Sequence, residues 1–495
     1  KFPPPQAPTA PGPSRACTRF RIASYLPMRR YLLFASAVAT ALLLTPTGCA
    51  KKDASSSTSV SAAASPAPLA TANTGKKILH YGNGAEPQDL DFQIVTGVPE
   101  HRLALTFFEG LVSEDPQLNI IPGVAERWEV SPDGRQYTFH LRTGARWTDG
   151  QPVTAADFAA SFRRILTPAL SAEYANMLYV LRGAEDYHKG RSTDFGTVGV
   201  LALDARTLRL TLENPAPYFL SLLTNPPWYP VPLAAIARHG AIDRRGNPWT
   251  RPEKFVGNGP FLLREWRPHQ VIIVARNPGY WDAATVRLNG IHFYPIDSVD
   301  AEERAFRSGQ LHLTEFTPVG KIDSYLRAAP QLLRRDPYLG TYFYRFNTRR
   351  APLNDVRVRR ALALATDRDT IAAQVARGGQ RPATSLTPPG TAGYSATASL
   401  ARDVEAARRL LAEAGFPGGR GLPPIELLYN TSENHRAIAE ALQEMWRREI
   451  GVEIRLVNQE MKVVFAARRA GDFQILRSDW IGDYLDPATF LDIFR

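Results

Sequence analysis

At 495 residues the chain is too long for one compact core, so two or three folded units are expected. Its 44% hydrophobic and 22% charged residues give an ordinary globular composition, which argues against a fibrous or wholly disordered chain. The formal charge of +11 would suit a nucleic-acid binder, but Lys1, Arg15, Arg19, Arg21, Arg29 and Arg30 all precede residue 49, and no basic run is interleaved with aromatics, so that class is set aside.

Residues 1–27, rich in Pro and Arg, precede Met28 and read as upstream sequence outside the working protein. Met28-Arg29-Arg30 begins a positive start, Tyr31 to Leu44 is apolar, and Thr47-Gly48 places small residues before Cys49. This resembles a bacterial lipoprotein signal peptide over 28–48, with Cys49 as the lipidation site. Pro46 departs from the Leu usual in that pattern, which keeps an ordinary cleaved signal as the alternative. The apolar run is shorter than the roughly 20 residues that span a bilayer. Cys17, the other cysteine, also precedes the folded region, so no disulfide joins the domains. Residues 49–77 are mostly Ala, Ser, Thr and Lys and read as a flexible tether reaching about 30 Å.

Beyond the tether, strand-like and helix-like runs alternate, which predicts an α/β fold. Pro132-Asp133-Gly134 is a turn, Tyr137, Phe139 and Leu141 alternate as one buried strand face, and Asp149-Gly150 is a second turn. Thr154 with Asp157 predicts a capped helix start. A helix over about 403–414 carries Val404, Ala407, Leu410 and Leu411 on one face and stops at Gly415. Ile425 to Tyr429 reads as a strand and Ser432 as the cap of a helix with Ile438, Leu442 and Trp446 inward. Gly451 ends it, and Val452, Ile454 and Leu456 begin the next strand.

Enzyme signatures are missing. The sequence has no Gly-x-Ser-x-Gly elbow, His-Glu-x-x-His, phosphate-binding loop or cysteine nucleophile in the folded part. Gly82-Asn83-Gly84 runs into Pro87 without a third glycine, and the nine histidines lack metal-ligand spacing, so neither cofactor nor metal is expected. Asp483 and Asp486 as a hydrolytic carboxylate pair are disfavoured by Pro487 and the aromatic surroundings.

The most informative segment is Arg477-Ser478-Asp479-Trp480-Ile481-Gly482-Asp483-Tyr484-Leu485-Asp486-Pro487, after a strand expected from Phe473 to Ile475. Trp480 and Tyr484 flank Asp483, and a carboxylate walled from water keeps its charge only beside a cation. The segment, with Phe108-Glu109-Gly110-Leu111, Trp147-Thr148-Asp149-Gly150, Asn258-Gly259-Pro260-Phe261, Arg276-Asn277-Pro278-Gly279-Tyr280-Trp281 and Asn354-Asp355-Val356-Arg357, closely resembles the oligopeptide-binding proteins that serve bacterial ABC importers.

The resemblance implies a two-lobe periplasmic-binding-protein (Venus-flytrap) fold with an extra subdomain inserted in lobe one. Residues 78–108 and 232–339 would form lobe one, 109–231 the insertion, and 340–495 a lobe two incomplete at its C-terminus. It further implies that Asp483 holds a peptide's α-amino group while Trp480, Gly482 and Tyr484 enclose it. Thr96 and Val98, within 95–100, would pair with the peptide backbone, and Arg477 and His435 would meet its carboxyl end, although His435 in a first helical turn equally suits solvent. Thr96 replaces an acidic residue, Met461 a frequent Trp, and Gly340 and Ile481 a cysteine pair of some members, so side-chain preference stays open. The implied partners are an oligopeptide and an importer's permease and ATPase subunits, with the receptor monomeric in the periplasm or at the outer face of the cell envelope. Sister receptors for dipeptides, cell-wall peptides or a nickel complex, and a peptide sensor, remain alternatives.

Overall fold

The computed structural model describes residues 77–336 and 338–494. The signal, Cys17, the Cys49 lipidation site and the tether up to residue 76 lie outside the described residues. Among the described residues, no helix is long and apolar enough to cross a membrane.

Among the described residues, three four-stranded sheets organise the fold. In the first, Ile78–Gly82 runs parallel to Gly290–Tyr294, which continues antiparallel through Val271–Arg276 to Phe261–Arg267. The second is antiparallel, in the order Ala125–Val130, Gln136–Leu141, Thr207–Thr211 and Val200–Ala202. Its expected hairpin forms: Gly134 takes a φ of 67°, which a residue without Cβ adopts at little cost, and Tyr137, Phe139 and Leu141 are buried. Thr154 and Asp157 close a full capping box on the helix Ala155–Leu166, which buries Phe158, Phe162 and Ile165.

The third sheet places Ile425–Asn430 between two parallel neighbours, Ile454–Gln459 and Ile475–Ile481, with Gly340–Phe346 antiparallel at the edge. Helices Glu433–Ile450 and Met461–Ala470 make the crossovers that parallel pairing requires. The helix Val404–Glu413 also forms, capped by Asp403 and followed by Gly415 at positive φ. Two expectations shift. Ser432 occupies the N-cap position but its hydroxyl makes no capping bond. The strand near the motif runs Ile475–Ile481, so Arg477 and Trp480 are strand residues and the loop begins at Gly482. The reason is pairing: Gly340–Phe346 matches that strand residue for residue, from Phe346 opposite Ile475 to Gly340 opposite Ile481.

Several segments read in the sequence as fold signatures converge on one buried acid. The Glu109 carboxylate accepts from the Tyr280 hydroxyl at 2.5 Å and the Trp281 indole at 2.6 Å, while its backbone exchanges two hydrogen bonds with the Asn258 amide. At Gly259 a Cβ would stand 2.5 Å from the Phe107 carbonyl carbon, so only glycine permits that approach. One hydrophobic core extends from Leu90 to Phe293 through the first two sheets, and a second extends from Leu353 to Ile475 around the third. Tyr484 follows the third sheet in sequence yet is buried in the first core.

Beneath that first core lies a buried ion pair. Arg164 donates to Asp91 at 2.6 and 3.1 Å and to Gln93 at 2.8 Å, and the Trp249 indole also reaches Asp91 at 3.3 Å. Removing one partner strands the other's charge, so Asp91→Ala should cost about 3–5 kcal/mol in urea unfolding, and the double change Asp91→Leu/Arg164→Met should recover most of it. A loss of only a few tenths of a kcal/mol in the single variant would show that the pair is not structural.

Candidate functional site

The carboxyl ends of the parallel strands in the third sheet carry the polar groups, the usual location for ligands in open α/β sheets. The strand Ile475–Ile481 delivers Arg477 and Trp480, and its exit loop delivers Gly482, Asp483 and Tyr484. Gly482 donates its N–H to the Leu339 carbonyl at 2.7 Å, and a Cβ on Gly482 would stand 2.6 Å from a Leu339 methyl, which explains the small residue. Gly340 and Ile481 stand directly opposite each other in the ladder.

The loop reaches across to the first core. Tyr484 stacks on Tyr218 with ring centres 4.9 Å apart and donates to Asp492 at 3.0 Å. Asn225 donates its amide to the Asp483 carbonyl, and the Asp483 N–H donates to Thr489 Oγ1 at 2.9 Å. Trp480 meets Tyr174 edge to face at 6.3 Å, with its indole N–H 3.4 Å from Thr489 Oγ1. These bonds fix the backbone of Asp483 and enclose its side chain. The carboxylate receives the Tyr174 hydroxyl at 3.5 Å, and among the described residues it forms no salt bridge. Burial pushes the Asp483 carboxyl up to about 7, the Tyr174 hydrogen bond opposing and the Asp492 charge adding to the rise.

A second cluster lies on the same strand. The Arg477 guanidinium sits 4.7 Å from the Tyr342 ring centre and donates to Asn430 at 3.3 Å and Asp479 at 3.0 Å. His435, in the first turn of Glu433–Ile450, places Nδ1 3.4 Å from the Tyr342 hydroxyl. Burial, with the Arg477 charge adding, holds its imidazole well below the usual histidine range, so it acts as a neutral hydrogen-bonding group. Arg477 and His435 are thus joined through Tyr342. Thr96 and Val98 come from another segment: Thr96 precedes the N-cap Gly97, and Val98 opens the helix Val98–Phe107, whose first turn binds the Gly97 carbonyl from His101. That geometry leaves Val98 offering an N–H rather than a strand's alternating donors and acceptors. Burial pushes the Glu100 carboxyl in that first turn up, with the Gln88 N–H and the Lys462 charge, from the helix that starts at Met461, opposing the rise.

Sequence reasoning missed Tyr174, Tyr218, Asn225, Thr489 and Tyr342. Tyr174, in the 3-10 helix Glu173–Val180, and Tyr218 and Asn225, in turns, lie far from residue 483 in sequence, and no local spacing links them to it; the alternation of Tyr342 and Tyr344 was a usable signal. A recess of about 350 Å³ opens along the edge strand, lined by Phe343, Arg345, Asn347, Phe473 and Phe494 among others, and Asp483 is not in its wall.

The raised Asp483 carboxyl has a definite stability sign. Its protonated form favours the folded, ligand-free chain at low pH, and that contribution is lost as pH rises through about 7. Asp483→Asn should therefore stabilise the ligand-free protein at pH 8 by up to about 4 kcal/mol, read as a higher midpoint in thermal unfolding, and change little near pH 4. An equal effect at both values would mean that the carboxylate is solvated.

Comparison with known proteins gives the site a context. Residues 119–495 match the bacterial extracellular solute-binding proteins, family 5, middle region. The periplasmic oligopeptide-binding protein OppA of Salmonella typhimurium is 39% identical over 442 residues, covering 87% of this chain and 79% of that protein. The Escherichia coli murein tripeptide binding protein MppA superposes with a TM-score of 0.80 at 36% identity, over 85% of this chain and 82% of that one. Haemophilus influenzae OppA in complex with RPPGFSPFR gives 0.77 at 33% identity, over 85% and 83%. The unliganded open form of MppA, at the same 36% identity over 85% of this chain and 81% of that one, gives only 0.56, so the lobe arrangement here is unlike that open form. The chain belongs to family 5 of the bacterial extracellular solute-binding proteins, with their two-lobe α/β fold.

Proposed function

We propose that this chain binds oligopeptides outside the cytoplasm in the cleft between its lobes and delivers them to an ABC importer. The observation that carries the reading is Asp483: an enclosed carboxylate beside Trp480 and Tyr484, with one long hydrogen bond from Tyr174 and no salt bridge among the described residues. A peptide's α-ammonium supplies the missing charge and up to three donors. The likeness to OppA proteins, one of them in complex with a nine-residue peptide, supports the same ligand class.

On this reading residues 78–108 and 232–339 form lobe one, 109–231 the insertion and 340–495 lobe two. Trp480, Gly482 and Tyr484 exclude water from the ammonium, Val98 and Thr96 face the peptide backbone, and Arg477 with neutral His435 meets its far end. Bonds from the third sheet's helices to the rest of the chain suit a closed state: Arg468 and Arg469 donate to Glu173 at 2.6 and 3.1 Å, and Glu433 accepts from Ser298 Oγ at 2.7 Å and Val299 N at 3.2 Å. The chain works as a monomeric receptor rather than an enzyme, held in the periplasm or at the outer face of the cell envelope by a lipid on Cys49 and the tether, and it meets a permease with cytoplasmic ATPases.

Calorimetry with a mixed tri- to pentapeptide pool, free and N-acetylated, tests the reading. Binding should be lost on acetylation, and Asp483→Ala should cost about 3–5 kcal/mol for free peptides, the usual penalty for breaking an enclosed ion pair. Equal affinity for both pools would remove the amine clamp. Binding of neither pool would favour a sister receptor for another solute, and cleaved rather than intact peptide after incubation would contradict a binding role.

A further inference from the structure

Arg477 is an unusual cation. Its side chain is 8% exposed, and among the described residues its Nε is buried with no hydrogen-bond partner, so this one donor is not used by the fold. Tyr342 covers one face, Asn430 takes Nη1, and one oxygen of Asp479 takes Nη2 at 3.0 Å. Asp479 lies two residues along the strand and therefore on the same face, opposite Tyr342 in the ladder, with its side chain 46% exposed. Arg345, on the neighbouring strand, has its guanidinium directed to Ser478 Oγ at 3.1 Å and over the Phe343 ring.

We infer that Asp479 is a resident competitor for Arg477 and thereby sets how much the charge at a ligand's carboxyl end counts. The inference rests on the peptide-binding reading and refines its specificity. A carboxylate arriving at Arg477 must displace Asp479 or crowd it. Displacement exchanges one carboxylate for another on the same guanidinium, and crowding sets two like charges side by side, so neither adds much affinity. Arg477 then behaves as a conditional anion site, closed by Asp479 and opened when that charge is removed. The cleft accordingly tolerates peptides whose carboxyl end is amidated or lies elsewhere, and Asp483 at the amino end dominates recognition.

The test compares a tripeptide as its free acid and its C-terminal amide against the full chain, Asp479→Asn, and Asp479→Asn/Arg477→Gln. The unmodified chain should bind the two forms within about 3-fold, Asp479→Asn should favour the acid by about 10-fold, and the double variant should return to parity. A tenfold preference for the acid in the unmodified chain, or no change of the ratio in Asp479→Asn, overturns the inference. Acetate at constant ionic strength provides a peptide-independent arm. It should raise the melting temperature of Asp479→Asn more than that of the unmodified chain, and the excess should vanish in the double variant; no excess overturns the inference even where peptides bind. If no peptide binds but the acetate excess appears, the peptide reading fails while Asp479's hold on Arg477 stands.

Discussion

The loop after Ile475–Ile481 ends in a tyrosine that packs into the wrong core, and the rest of the site follows from that. Tyr484 leaves the third sheet and joins the cluster built on the first two, stacked on Tyr218, while Asn225 grips the Asp483 carbonyl. Side-chain freedom is lost on both sides of the seam, and the carboxylate between them is carried out of water. An acid in that position is electrostatically unsatisfied when protonation is unavailable, and a cation brought to it is gripped in a low-dielectric setting where charge pairing is strong. On the proposed reading, ligand charge and lobe closure are linked: whatever neutralises Asp483 favours the docked loop over an open arrangement.

The seam is not held by Asp483 alone. Glu173 with Arg468 and Arg469, and Glu433 with Ser298 and the Val299 N–H, bridge it at other points. Glu173 and its two arginines are partly exposed, so each bond contributes little by itself, and exposed pairs of that kind are worth about 0–1 kcal/mol. Weak latches around a strong but ligand-dependent centre suit a hinge that must close on cargo and open again. The low TM-score against the open form of MppA, beside the high score against its other structure, accords with the proposed closed reading of those contacts.

Much of the fold was legible because it is written in local patterns. The Pro132-Asp133-Gly134 turn, the buried alternation of Tyr137, Phe139 and Leu141, the Thr154–Asp157 box and the helix ending at Gly451 depend on neighbours within a few residues. The strand around Arg477 was placed too early because its extent is set by pairing with Gly340–Phe346, which lies far away in sequence. Asp483 and its flanking aromatics stood out in the sequence, but Tyr174, Tyr218 and Asn225 did not, since only the tertiary packing brings those distant segments to the loop. Asp479 was visible in the same motif yet carried no signal of its own until its bond to Arg477 was seen.

Proton release on binding tests the role of Asp483 most directly. At pH 6 the ligand-free carboxyl is mostly protonated and a peptide's α-amino group already carries its proton, so pairing the two must expel a proton from Asp483. Calorimetry of a free-amine tripeptide in buffers of different ionisation enthalpy should show close to one proton released by the unmodified chain and none by Asp483→Asn. Binding without proton release, or the same release in both, would contradict Asp483 as the ammonium's partner.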